Sequence, residues 1–276
     1  MKYKIHLKQI IAGCVILGLI FMLFLIGKDI WKNNSYRLIG QKHLSLSDGK
    51  KELFWFDTIH SNNPKDIMFR YLEEAFNKFE PDLVLVEGGY DSFVGSREEA
   101  ILNGESSFAT YLAKESNIIV EDIEPPLSAQ LAYLQTKYDA KQILAMYALR
   151  QIGSYELLSN SNQINFEEEV VNLLDELKEN GLDYGGTNVA DVLRAVNLYL
   201  PQKMTTENWR DLKVYRIYAR EDNEIGSIYN DVVNYRNIYL TSLIEKKKGS
   251  YNRIFIVMGN AHKEATENKL RSIYNN

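Results

Sequence analysis

Cysteine is nearly missing from this chain, and Cys14 is the only one. Everything beyond it can form no internal disulfide and offers no thiol nucleophile. For a body of this size that absence does not fix a compartment, because its core can hold it without cross-links. Histidine is almost as scarce, four residues in all, and only His60 and His262 lie beyond the first fifty positions. Positive charge is thin in the body. Five of the 32 Lys and Arg fall in residues 1–35 beside a single acid, Asp29, which leaves 27 basic against 36 acidic residues. Nucleic acid is therefore excluded as a partner, since phosphate binding needs clustered cations. The chain also lacks a Gly-x-Ser-x-Gly elbow, a His-Glu-x-x-His helix and any repeat at solenoid period.

One long apolar run is present. Ile10 to Gly27 carries no charge over 18 residues, follows a basic start (Lys2, Lys4, Lys8) and is closed by Lys28, Asp29 and Lys32. A hydrocarbon core of about 30 Å needs around 20 apolar residues as helix, so the run just spans. It is longer than the core of a secretory signal and has no small-x-small cleavage site near Gly27. Lysines ahead of it predict a cytoplasmic N-terminus. We therefore expect residues 1–34 to be an uncleaved single-pass membrane anchor with residues 35–276 outside the cytoplasm; a cleaved signal and a buried core helix are the alternatives. Ile11-Ala12-Gly13-Cys14 has the look of a lipoprotein box, but the apolar run follows the cysteine where it should precede it.

The remainder reads as an α/β domain. A tether from Asn33 leads into a hairpin at Ser47-Asp48-Gly49, and Leu53 to Thr58 is a short apolar strand. Helical spacing from Ile67 to Phe79 follows Pro64, and Leu83 to Glu87 is a second strand, so strand, helix and strand form a parallel βαβ unit. Helices near 96–102 and 105–115, a strand at 118–122, helices near 128–136, 139–159, 166–180, 188–200 and 224–246, a strand at 253–258 and a closing helix from about Ala261 complete the pattern. The fold class expected is a central, mostly parallel sheet flanked by helices, with a helical insertion at about 128–250 and the N-terminal transmembrane helix.

Open α/β sheets bind ligands beyond the carboxyl ends of their strands. His60 follows the strand ending at Thr58, and His262 follows the strand 253–258 in a Gly259-Asn-Ala-His turn. Asp57, Glu87, Glu121, Asp122 and Glu124 belong to the same edge, with Glu105 on a loop able to fold over it. Two imidazoles and a carboxylate hold a divalent metal with an open position, or work without metal through a histidine base that a carboxylate orients. The linear spacing leaves both open. Ser106 and Ser107 lack a nucleophile elbow. Many of the 18 tyrosines, among them Tyr133, Tyr138, Tyr147 and Tyr155, sit at amphipathic spacing, which points to core packing ahead of haem ligation.

Asp57-Thr-Ile-His60, Val86-Glu87-Gly88, Gly104-Glu105, Tyr235-Arg236-Asn237 and Gly259-Asn-Ala-His262, in this order, resemble the TraB/Tiki (GumN-like) family and its erythromycin-esterase-like and haem-uptake relatives. The resemblance covers roughly residues 50–270 and rests on the order and strand context of motifs that are each unspecific. It implies that His60 and His262 are paired histidines, Glu87 their acidic partner, Arg236 a basic group facing the site and Glu105 a further carboxylate from the esterase-like branch. It implies hydrolysis of a peptide or small ester, with a divalent metal (Mn, Co or Zn) held by His60, Glu87 and His262. Other branches imply the alternative, a non-catalytic surface protein that binds a peptide, haem or protein partner in the same cleft. The departure is Asp57, where that family has glycine; a side chain there narrows the pocket or adds a carboxylate ligand.

Overall fold

The computed structural model describes residues 43–58, 61–88, 95–156, 164–186, 188–212, 214 and 222–275. The apolar run Ile10 to Gly27, Cys14 and His60 lie outside these residues. Among the described residues no helix is long and apolar enough to cross a membrane. The chain divides into two compact units, Met1–Ile123 with Glu245–Asn276, and Glu124–Ile244.

The first unit is built on a five-stranded sheet. β1 (Leu44–Ser47) and β2 (Glu52–Thr58) form the hairpin, and α1 (Ile67–Phe79), β3 (Leu83–Val86), α2 (Arg97–Leu102), α3 (Glu105–Glu115) and β4 (Ile119–Asp122) follow. The strand order is β1-β2-β5-β3-β4, in which β5 is Arg253–Gly259, inserted between β2 and β3. Only the β1–β2 pair is antiparallel; the other three pairings run parallel. β1 alternates buried Leu44 and Leu46 with exposed serines, as an edge strand with one covered face should. β3 and the interior of β5 are buried throughout, the mark of parallel strands covered on both faces.

Local chemistry sets the connections. Asp48 accepts from the amides of Lys50 (2.9 Å) and Lys51 (2.8 Å) and closes the hairpin. Asp66 caps α1 by accepting from the Met68 amide at 3.0 Å, and its other carboxylate oxygen accepts from the Ser61 hydroxyl at 2.9 Å. α1 then lays Phe69, Leu72 and Phe76 on one sheet face with Phe108 and Leu112 of α3, against Phe56, Val84 and Phe255. Glu80 ends the helix in the left-handed region (φ 49°), just before Pro81. Asp82 takes the amides of Asn252 and Arg253, each at 2.8 Å, and so sets where β5 begins beside β3.

The second unit is helical: α4 (Leu127–Gln135), α5 (Ala140–Glu156), α6 (Phe166–Glu179), α7 (Val189–Val196), a 3-10 turn at Trp209–Asp211, and most of α8 (Glu224–Lys248), whose residues from Glu245 onward belong to the first unit. It has its own core, in which Leu131, Leu149, Leu174, Val196, Trp209 and Ile228 meet. Tyr147 is buried in that core, and Tyr133, Tyr138 and Tyr155 pack half-buried against it. α7 is shorter than its periodicity predicts, because the Asn197 side chain exchanges hydrogen bonds with the main chain of Met204 (2.7 and 3.0 Å) and turns the chain away. α9 (Asn260–Asn275) returns to the first unit and packs on β1, β2 and β5.

Candidate functional site

Parallel pairing brings three strand ends to one rim. Thr58 of β2 lies opposite Gly259 of β5, and Val86 of β3 opposite Val257. Glu87, the first residue beyond β3, and the first turn of α9, which starts directly after Gly259, therefore leave the sheet at neighbouring strand ends. A cleft of about 390 Å³ opens there, lined by Thr58, Met258, Glu87, Gly88 and the Asn103–Ser107 segment.

Each wall has a local cause. Gly88 adopts φ 66°, a left-handed conformation that suits glycine, and its amide donates to the Asp122 carboxylate at 3.2 Å. The loop that carries Glu87 is thereby tied to β4. Across the cleft, Gly104 (φ 95°) makes the turn between α2 and α3 and lets α3 begin at Glu105. Glu105 is buried, 7% exposed, in the first turn of α3, where the helix dipole favours a negative charge. The Ser106 hydroxyl donates to the main-chain carbonyl of Glu87 at 3.0 Å and joins the two walls. Ser106 is thus a bracket for the acid-bearing loop, a role that sequence reading missed because it joins residues 19 apart by a main-chain contact.

Of the residues singled out from sequence, Glu87 and Glu105 meet in this cleft. His262 is half-buried in the first turn of α9 and is not among the residues lining the cleft. The expected Gly-x-x-His turn is corrected: β5 runs through Gly259, and α9 starts at Asn260 without an intervening turn, the Asn260 side-chain Nδ2 donating to the Glu264 carboxylate at 2.6 Å. His60 lies outside the described residues. Arg236, expected to face the site, belongs to the second unit, where Glu124 accepts from its guanidinium as an ion pair. In the same unit burial raises the Tyr147 phenol well above its ordinary pKa, against the opposing pull of Arg150 and Arg236.

Asp57 does not narrow the cleft. Strand alternation sends Thr58 to the cleft and Asp57 to the opposite face, where it is 2% exposed and forms an ion pair with Lys263 of α9, itself 5% exposed. Glu121, expected at the edge, is taken by Lys247. Among the described residues no three His, Asp or Glu side chains converge as metal ligands. Of the metal trio expected from sequence, Glu87 and His262 are among the described residues and His60 is not. A carboxylate at the end of β3 and an imidazole at the end of β5 do suit Mn, Co or Zn as donors.

No family model matches the chain, and neither a curated protein nor a solved structure matches it.

Proposed function

We propose that the chain is a hydrolase acting on a peptide or ester bond at the carboxyl rim of its parallel sheet. The observation that carries this reading is the meeting of Glu87 and Glu105 in one cleft at the ends of β2, β5 and β3. Of the two, Glu87 is half-exposed at the strand end and is placed to take a proton from an attacking water, whereas buried Glu105 fixes the orientation of whatever binds beside it. His262, in the first turn of α9 at the neighbouring strand end, would have to turn toward them from outside the cleft lining, and His60 is assigned on sequence alone, two residues beyond Thr58. A divalent ion would be held by His60, Glu87 and His262; when bound it supplies a water of lowered pKa. The apolar run from Ile10 to Gly27 would hold the hydrolytic unit at the outer face of a membrane.

A second reading, a non-catalytic binder of a peptide, haem or protein partner, is favoured by one observation: the cleft lining does not include His262. Metal analysis of the purified chain, combined with a screen of peptide and ester substrates, separates the two. Stoichiometric Mn, Co or Zn that is lost in His60→Ala and in His262→Ala, together with hydrolysis lost in Glu87→Gln, supports the hydrolase. A metal-free chain with no turnover, and with ligand binding unchanged in all three variants, supports the binder.

A further inference from the structure

The Asp57–Lys263 pair is hard to explain as a device for stability. Asp57 stands on the strand face that otherwise presents Leu53 and Trp55, both fully buried. Lys263 is the fourth residue of α9, where a cation opposes the helix dipole. Burying two charges costs desolvation that their attraction often fails to recover, so an apolar pair of the same volume is commonly as stable or more so. Two local preferences are thus broken at one contact, which is the pattern expected where function sets the residue.

The position of the pair shows what it controls. Asp57 immediately precedes Thr58, a wall of the cleft, and lies in register with Met258, another wall. Lys263 immediately follows His262. Behind the same wall the Trp55 indole N–H donates to the Met258 carbonyl at 3.1 Å, so β2 and β5 are already fixed to each other there. The ion pair adds a tie between the first turn of α9 and the end of β2. We infer that Asp57 and Lys263 are positioning residues that lock the first turn of α9 to the end of β2 and so set the direction of the His262 imidazole beside the strand ends that carry the cleft. The inference rests on the hydrolase reading for its purpose, though not for its geometry.

The test compares two double variants of the full chain: Asp57→Ser/Lys263→Met, which removes the pair, and Asp57→Lys/Lys263→Asp, which reverses it. The first readout is the proton–carbon spectrum of the imidazoles, simple in a chain with four histidines, with the His262 signal assigned by His262→Gln. The second is Co²⁺ alone as a probe, its visible absorption reporting ligand geometry. Removing the pair is expected to displace the His262 signal and to weaken Co²⁺ binding about tenfold or more, the usual effect of losing a group that orients a ligand, with thermal unfolding still cooperative. Reversing the pair is expected to restore both. Wild-type His262 signals and Co²⁺ affinity after removal overturn the inference, as does a folded reversed variant that stays displaced. If the removal variant does not fold, the reversed variant decides alone. If the wild-type chain takes up no Co²⁺ and His262→Gln changes nothing in that assay, the hydrolase reading with a metal fails, while the His262 signal still decides the positioning role.

Discussion

The Ser106 hydroxyl donates to the main-chain carbonyl of Glu87 at 3.0 Å, across the mouth of the cleft. A serine that spends its proton on a carbonyl in this way orients the acid-bearing loop and is poorly placed to attack a substrate. Ser106→Ala is therefore expected to cost about 0.5–1.5 kcal/mol of stability and to lower turnover only a few-fold. Glu87→Gln is expected to lower it by about 10² or more, the range for a missing general base. Comparing the initial rates of the two variants on one substrate from the screen decides the matter. A Ser106→Ala chain as inactive as the Glu87→Gln chain would make the serine a nucleophile after all.

Asp57 carries the second prediction. Replacing it with the glycine that the TraB/Tiki resemblance leads one to expect strands the Lys263 ammonium in a site 5% exposed. Breaking a buried pair on one side only costs about 3–5 kcal/mol. Asp57→Gly is thus expected to shift urea unfolding strongly to lower concentration, and adding Lys263→Met to recover much of the loss. If the single and double variants unfold at the same midpoint, the two charges are not coupled.

Much of the fold was legible because its signals are local. The apolar runs at Leu53, Leu83 and Arg253 and the Pro64 and Pro81 breaks mark β2, β3, β5 and the ends of α1 with little ambiguity. The strand order was not legible, since inserting β5 between β2 and β3 depends on contacts some two hundred residues apart, such as Asp57 opposite Met258. The same division holds for the site. Glu87 could be read from its place at a strand end and Glu105 from the Gly-Glu turn, although Glu105 was expected on a loop and instead begins α3. The use of Asp57 could not, because nothing in linear spacing pairs it with Lys263; strand alternation alone would have turned it away from the Thr58 side. The short helix α7 was overestimated for a related reason. Its apolar period continues to Leu200, and only the grip of Asn197 on Met204, seven residues on, ends it early.

Arg236 and Glu124 give a third prediction, confined to the helical unit. The Arg236 side chain is 11% exposed and that of Glu124 is 25% exposed, so the pair is better shielded than a surface bridge. Arg236→Lys keeps the charge but loses the planar fork of donors, and is expected to cost about 0.5–1.5 kcal/mol, with Arg236→Ala costing about 1.5–3 kcal/mol. Hydrogen exchange followed by mass spectrometry should place the added opening in peptides of α4 and α8. Unchanged exchange there in Arg236→Ala would mean that the guanidinium has no structural work in that unit.

His43 sets the last prediction. Its ring lies between Phe54 and Phe56, each 4.9 Å away by centroid, and its Nδ1 is buried without a hydrogen-bond partner. Burial first, and the Lys263 charge second, lower its pKa to about 4 from an ordinary value of 6.5. Between those two values the unfolded chain binds a proton that the folded chain refuses, so stability must rise with pH across that window. The contribution is complete above pH 6.5, declines as pH falls towards 4 and is constant below it. Because the ring keeps some solvent contact, the full shift overstates the effect, and we expect about 1–2 kcal/mol. Carboxylates titrate over part of the same range, so the informative quantity is the difference between the wild-type chain and His43→Phe, which preserves the aromatic stack without a titrating group. Denaturant midpoints of the two proteins measured from pH 4 to pH 7.5 should diverge as the pH falls below 6.5, with the phenylalanine variant the more stable on the acid side. Parallel curves would mean that His43 accepts its proton as readily in the folded chain as in the unfolded one.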